Sequence, residues 1–139
     1  MIFPLTRADV LLLMNDLIEI DKETIGEKWT IENFIFQLDL KWELSCCVEL
    51  KNKTLGFLIA SKKDNAAHIH RVAIDKNSQG LGLGKKLIDE LELRARSHSL
   101  QAITLKVSTK NKNAIDFYTH IGFKLQNLEG HNFLMMKTF

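Results

Sequence analysis

The stretch from residue 68 to residue 97 constrains the chain more than any other part of it. A strand pattern over 68–74 leads through Gln79-Gly80-Leu81-Gly82-Leu83-Gly84 into a helix pattern. There Leu83, Leu87, Leu91 and Ala95 share one stripe, and Lys85, Lys86, Asp89, Glu90 and Glu92 lie mostly elsewhere. A strand, a glycine-rich turn and a helix in direct succession gather unpaired backbone N–H groups and the positive end of a helix dipole around one small volume. That volume suits an anion. Glycines at 80, 82 and 84 let the backbone approach phosphate oxygens and accept torsions that side chains disfavour. Lys85 and Lys86 add positive charge at the rim. A Gly-x-Gly-x-Gly run can also make a tight strand-to-helix turn with no ligand, and taken alone that reading competes seriously.

Two common phosphate loops misfit. A Walker loop needs glycine where Gln79 stands and a Ser or Thr where Lys86 stands. A dinucleotide fingerprint starting at Gly80 needs glycine at Lys85 and an acidic residue at the end of the next strand, which here ends at Val107 followed by Ser108. Both nucleotide readings weaken.

The rest of the chain reads as one compact unit. Its 139 residues, 45% hydrophobic, suffice for a single domain over 1–139 and are too few for two ordinary ones. A formal charge of +2 gives no reason to expect nucleic acid or an anionic membrane as partner. The N-terminal residues lack a secretory pattern and no apolar run approaches membrane-spanning length, so a soluble cytoplasmic protein is expected, monomeric or homodimeric. Cys46 and Cys47 are adjacent, awkward for a disulfide and patternless for a metal; they read as small residues alternating across a strand.

Thr6-Arg7-Ala8-Asp9 resembles a capping box opening a first helix through Val10, Leu13, Met14 and Leu17. Thr30 caps a second, carrying Ile31, Phe34, Ile35 and Leu38. Strands are expected at 2–5, 45–50, 55–60, 68–74, 102–107, 123–128 and 132–137, with helices from 82 to about 97 and over 113–120. Acidic runs such as Glu19 to Glu23 read as solvated helix surface, and Trp29, Phe34, Phe36 and Trp42 more often as core than as a binding surface.

With Gln79, Gly82 and Gly84 in place after a strand ending Val72-Ala73-Ile74, the loop resembles the coenzyme A motif [Arg/Gln]-x-x-Gly-x-[Gly/Ala] of the GNAT superfamily of N-acetyltransferases. A second segment is similar as well: Leu105-Lys106-Val107, then Asn111, Ala114, Phe117-Tyr118 and Gly122-Phe123, without an insertion. The resemblance implies an α+β, three-layer fold: a mixed, mostly antiparallel twisted sheet of six to seven strands flanked by about four helices. It implies acetyl-CoA as cosubstrate, no metal, and direct transfer of an acetyl group to a primary amine.

By the same resemblance, the backbone of Val72, Ala73 and Ile74 aligns the pantetheine arm. Gln79, Gly80, Leu81, Gly82, Leu83, Gly84, Lys85 and Asn111 hold the cofactor, and Tyr118 is the general acid. On the residues alone, Tyr118 could equally be an amphipathic core residue and Asn111 a helix cap. The segment 27–34 around Trp29 looks like the Pro-Trp-Ser segment of bacterial ribosomal-protein N-terminal alanine acetyltransferases, without the proline. Those enzymes place a Glu base where Lys106 stands. Base candidates elsewhere are His70 first, nearest Val72, then His68 and Glu49. The lost Glu keeps open an alternative, a non-catalytic acyl-CoA-binding sensor of the same fold. The aromatic first half, with no dense acidic cluster, favours a peptide or amphipathic amine as acceptor over a polycationic one.

Overall fold

A computed structural model describes every residue except 23 and 25. Seven strands form one sheet: β1 Ile2–Pro4, β2 Cys46–Leu50, β3 Lys53–Lys63, β4 Ala66–Ile74, β5 Ala102–Ser108, β6 Lys124–Glu129 and β7 Asn132–Thr138. Their spatial order is β1-β2-β3-β4-β5-β7-β6. Every pairing is antiparallel except β4 with β5. Five helices accompany the sheet: α1 Arg7–Asp21, α2 Ile31–Ile35, α3 Lys41–Leu44, α4 Leu83–Ser97 and α5 Lys112–His120. This is the α+β three-layer architecture expected, with the four-residue α3 added between α2 and β2.

Local chemistry sets the element ends. Thr6 and Asp9 form a reciprocal capping box at α1, and Thr30 with Asn33 does the same at α2. β3 and β4 run longer than expected, so the polar break at Lys63-Asp64-Asn65 is a tight turn between them. Lys51 and Asn52 both take positive φ, 52° and 64°, as the two central residues of a type I′ hairpin turn require.

The sheet buries both faces over much of its width. On one side Leu87, Ile88, Leu91 and Ala95 of α4 pack on Cys46, Leu58, Ala67, Ile69, Ile103 and Leu105. On the other, Val10, Leu17 and Phe34 from α1 and α2 pack on Cys47, Phe57, Ile59 and Ala73. Cys46 and Cys47 therefore serve opposite cores, unbonded to each other. Of the large aromatics, Phe34 is fully buried, Trp29 and Trp42 are partly covered, and Phe36 is exposed.

The acidic run 19–23 departs from the solvated surface expected of it. Asp21 is 3% exposed and paired with Arg71 of β4, while Glu23 lies outside the described residues. A partner fifty positions away makes this burial invisible to local pattern. Lys41 is buried too: its ammonium donates to the carbonyls of Asn33, Phe34 and Phe36 at 3.3, 2.8 and 2.6 Å, closing the end of α2. Burial pushes its pKa down to about 8, and three carbonyl acceptors favour the charged form.

β4 carries an irregularity. Ile59 pairs with Arg71 but Ala60 with Ile69, so His70 is an extra residue, a bulge. Side-chain parity flips across it: Ala67 and Ile69 face α4, as do Val72 and Ile74 beyond it. Gly56 on β3 lets this second half of β4 lie close, because a Cβ there would stand 2.6 Å from Ile74 Cδ1 and 3.0 Å from the Ala73 carbonyl oxygen. Gly56→Ala is expected to cost about 1–3 kcal/mol through overpacking. Thermal unfolding should show a midpoint lowered by roughly 3–10 °C.

Candidate active site

The parallel ladder between β4 and β5 ends at Ile69 paired with Leu105, although β4 continues to Ile74 and β5 to Ser108. Past the bulge the two strands part, and the edge of β4 facing β5 has no ladder partner. A cleft of about 850 Å³ opens at the split. One wall is residues 69–74 of β4, another residues 105–108 of β5. The N-terminal turn of α4, the start of α5 and Thr24 with Gly26 close it.

At the mouth, the glycine loop leaves α4 without a cap. Gly82 occupies the N-cap with φ 78° and, having no side chain, offers no cap bond; Gly80 has φ 83°. The first amides of a helix lack intrahelical acceptors, so those of Leu83, Gly84 and Lys85 remain available to an anion in the cleft. Gln79 braces the loop by donating from Nε2 to the Ile74 carbonyl at 3.3 Å. Gly84 needs no unusual torsion, and an added Cβ would meet only Phe117 at 3.5 Å, an ordinary contact. Space in the cleft, and not protein packing, is what its missing side chain provides. Lys85 lines the mouth while paired with Asp89 at 2.8 Å. The Leu81 side chain is exposed and lies outside the cleft lining.

Deeper in, Tyr118 rises from α5 with its ring edge-on to Phe117 and Phe123. Burial pushes its phenol up to about 12. It is thus both a partner of the core and a protonated hydroxyl lining the cleft. Asn111 likewise has two placements at once. Its Oδ1 accepts from Ala114 N at 3.2 Å, capping α5, and the residue lines the cleft.

The three base candidates separate. His70, at the bulge, lines the cleft, and its Nε2 lies 2.6 Å from Ser61 Oγ, which fixes the ring; Nδ1 has no hydrogen-bond partner among the described residues. Its surface remains open, yet the cleft walls strip part of its hydration. This desolvation, with repulsion from Lys41 and Lys63, holds its pKa below the usual imidazole value. His68 is buried outside the cleft, bonded through Nδ1 to Thr104 Oγ1 at 2.8 Å, and burial foremost pushes its pKa to about 4. Glu49 sits on β2, two strands from β4, away from the cleft.

Lys106 does line the cleft and forms an ion pair of 3.1 Å with Glu129 at the β6–β7 turn. Hydrogen bonding to Lys106 holds the Glu129 carboxyl below its ordinary value. Lys106 also borders a second cavity of about 400 Å³ on the sheet face away from α4, over His68, Thr104 and Met136. Among the described residues no cluster of three or more His, Cys, Asp or Glu side chains is placed to hold a metal, and no helix is long and apolar enough to cross a membrane.

A split sheet, an uncapped glycine-lined helix start and a half-buried phenol together define a cleft for an elongated ligand bearing a phosphate anion. The family model described as the acetyltransferase (GNAT) family matches residues 14–123, and the chain belongs to that family. The catalytic subunit of the N-terminal acetyltransferase B complex from Schizosaccharomyces pombe is 28% identical over 114 residues, 76% of this chain and 63% of that one. The curated relatives matched first are spanned over only 37%, 63% and 64% of their length.

Solved structures share the fold across nearly the whole chain. The PaiA N-acetyltransferase from Thermoplasma acidophilum, in complex with coenzyme A, superposes with a TM-score of 0.82 at 21% identity, covering 100% of this chain and 98% of that one. The ribosomal-protein-S18-alanine N-acetyltransferase from Escherichia coli gives 0.82 at 19% identity, covering 99% and 92%.

The free amides at the α4 start are expected to bind pyrophosphate-bearing ligands. Gly84→Glu, which sets a carboxylate among them, should weaken such binding at least about tenfold in calorimetry with the thermal midpoint near that of the parent, since the like charge faces the anion directly.

Proposed function

We propose that the protein is an acetyl-CoA-dependent N-acetyltransferase that passes an acetyl group directly to a primary amine. The observation that carries this reading is the β4–β5 split, with free helix amides at its mouth and a protonated phenol inside. Family membership and the fold shared with N-acetyltransferases support it.

In this reading the amides of Leu83, Gly84 and Lys85 take the pyrophosphate of coenzyme A, and the open edge of β4 at Val72, Ala73 and Ile74 aligns the pantetheine amides. The same edge polarises the thioester carbonyl. A neutral amine then attacks that carbonyl carbon; the C–N bond forms and the C–S bond breaks. Nδ1 of His70 takes the amine's surplus proton, directly or through water. Tyr118 donates to the sulfur as negative charge develops there, and its raised pKa keeps the proton on oxygen until that moment. Asn111 holds the start of α5, from which Tyr118 projects.

The acceptor is a peptide or protein N-terminus, a lysine, or a small amine. The aromatic α1–α2 region, with Trp29 and Phe36 partly or fully open, favours a peptide or an amphipathic amine. A second reading, an acyl-CoA-binding sensor without turnover, draws on Lys106, ion-paired with Glu129, standing where the resemblance to the alanine acetyltransferases implies a Glu base.

Tyr118→Phe separates the two. A catalytic phenol predicts a fall in kcat of about a hundredfold or more with coenzyme A affinity within about twofold; a sensor shows no turnover to lose. The pH profile tests His70. Its pKa lies below the usual value, so it is neutral and competent at pH 7 and is lost as pH falls through that lowered pKa. With a peptide α-amine as acceptor, log kcat/KM should rise with a slope of about one below the amine's pKa, steepening to about two below that of His70. In His70→Ala the steep limb should vanish, and a profile identical to the parent's would remove His70 from the base role.

A further inference from the structure

Asp21 ends α1 and Arg71 follows the bulged His70 on β4, and neither belongs to the donor machinery above. Their pairing is bidentate: Arg71 Nε donates to Oδ1 at 2.7 Å and an Nη to Oδ2 at 3.0 Å. The side chains are 11% and 4% exposed for Arg71 and Asp21. Each also bonds to the segment that leaves α1. Asp21 accepts from Trp29 N at 3.2 Å and from Thr24 Oγ1 at 3.3 Å. Arg71 donates to the Glu27 carbonyl at 2.9 Å, and its guanidinium stands 5.6 Å from the centre of the Trp29 ring. That ring in turn packs edge-on against the buried Phe34 at 5.0 Å.

A buried ion pair adds little net stability over an apolar pair of the same volume, so holding α1 to the sheet does not by itself account for it. What bidentate geometry adds is direction: the planar guanidinium fixes angles as well as distance. The pair also sits where direction counts. Arg71 is anchored in the stretch of β4 that walls the cleft, while Thr24 and Gly26 line the same cleft from the α1 side of the sheet, opposite α4. With the donor held at α4, the amine has to enter from the α1 side.

We propose that the Asp21–Arg71 pair is a positioning latch that sets the backbone of residues 27–29 and the Trp29 ring against β4, and so shapes the entrance used by the acceptor. The latch rests on the acetyl-transfer reading above for its catalytic consequence. It makes acceptor binding, and not acetyl-CoA binding, depend on Arg71. Arg71→Lys keeps the charge but loses the fork, and restores only part of the effect.

Steady-state kinetics on Arg71→Ala, Arg71→Lys and Asp21→Asn test this. The acceptor KM should rise at least about tenfold in Arg71→Ala and less in Arg71→Lys, with kcat and the acetyl-CoA KM within about threefold of the parent. An unchanged acceptor KM, or both KM values rising together, overturns the latch. Should Arg71→Ala fail to fold, the isosteric Asp21→Asn carries the same comparison, because it retains an oxygen for the Trp29 N–H. A second readout needs no turnover. In a Trp42→Phe background Trp29 is the sole tryptophan, and acrylamide quenching of its fluorescence should increase on adding Arg71→Ala or Asp21→Asn; unchanged quenching overturns the latch. A parent protein that binds coenzyme A yet acetylates no amine would instead sink the acetyl-transfer reading, with quenching left to decide the latch.

Discussion

One extra residue in β4 organises the molecule. The His70 bulge ends the parallel ladder with β5, so two strands that could have continued side by side diverge and leave a cleft between them. It also reverses side-chain parity along β4. Val72 and Ile74 thereby reach the α4 core, and Arg71 turns toward α1, where an arginine in regular register would have lain on the α4 side. The bulge makes the opening, sets a histidine in its wall and sends a guanidinium to the loop on the far side. Gly56 gives the displaced half of β4 room to lie flat against β3.

Burial then divides the polar groups around that opening by task. Desolvation raises Tyr118 and lowers His70, which pushes both toward their neutral forms at neutral pH. A neutral phenol can donate and a neutral imidazole can accept, so the same physical cause equips one wall as donor and the other as acceptor. His68, two residues from His70 and buried, is carried further down and its Nδ1 is committed to Thr104, so proximity in sequence does not give it the same role. At the mouth the logic is inverted. The α4 amides are left without an acceptor because Gly82 cannot cap them, and that unmet demand is what an anion satisfies.

Features set by local chemistry are legible in the amino-acid sequence alone. The glycine loop, the α4 stripe and both threonine caps depend on residues within a turn or two of one another, and each stands where the pattern puts it. The bulge leaves one trace in the sequence, the adjacent polar pair His70-Arg71 that shifts the apolar phase from 67 and 69 to 72 and 74, but only the pairing with β3 shows that pair to be a bulge. Asp21 reads as solvated surface because its identity as a buried ion depends on Arg71; the burial of Lys41 leaves no mark in the sequence either, because its acceptors are carbonyls with no residue signature. In sequence, only nearness to Val72 favours His70 over His68, while the fold separates them by which cavity each one borders.

Lys106 shows how a departure from a family pattern can be consistent with the same chemistry. Its ammonium cannot accept a proton, yet it lines the cleft that the proposed reaction assigns to donor and acceptor. A like charge nearby disfavours the ammonium form of an incoming amine and favours the neutral nucleophile, so the substitution promotes by electrostatics part of what a base would do by proton transfer. Glu129, tied to Lys106 at 3.1 Å at the β6–β7 turn, offsets some of that field. The same arrangement raises the cost of a second cation in the acceptor. In the proposed reaction it therefore favours, as the aromatic α1–α2 segment does, acceptors with one amine and an apolar body.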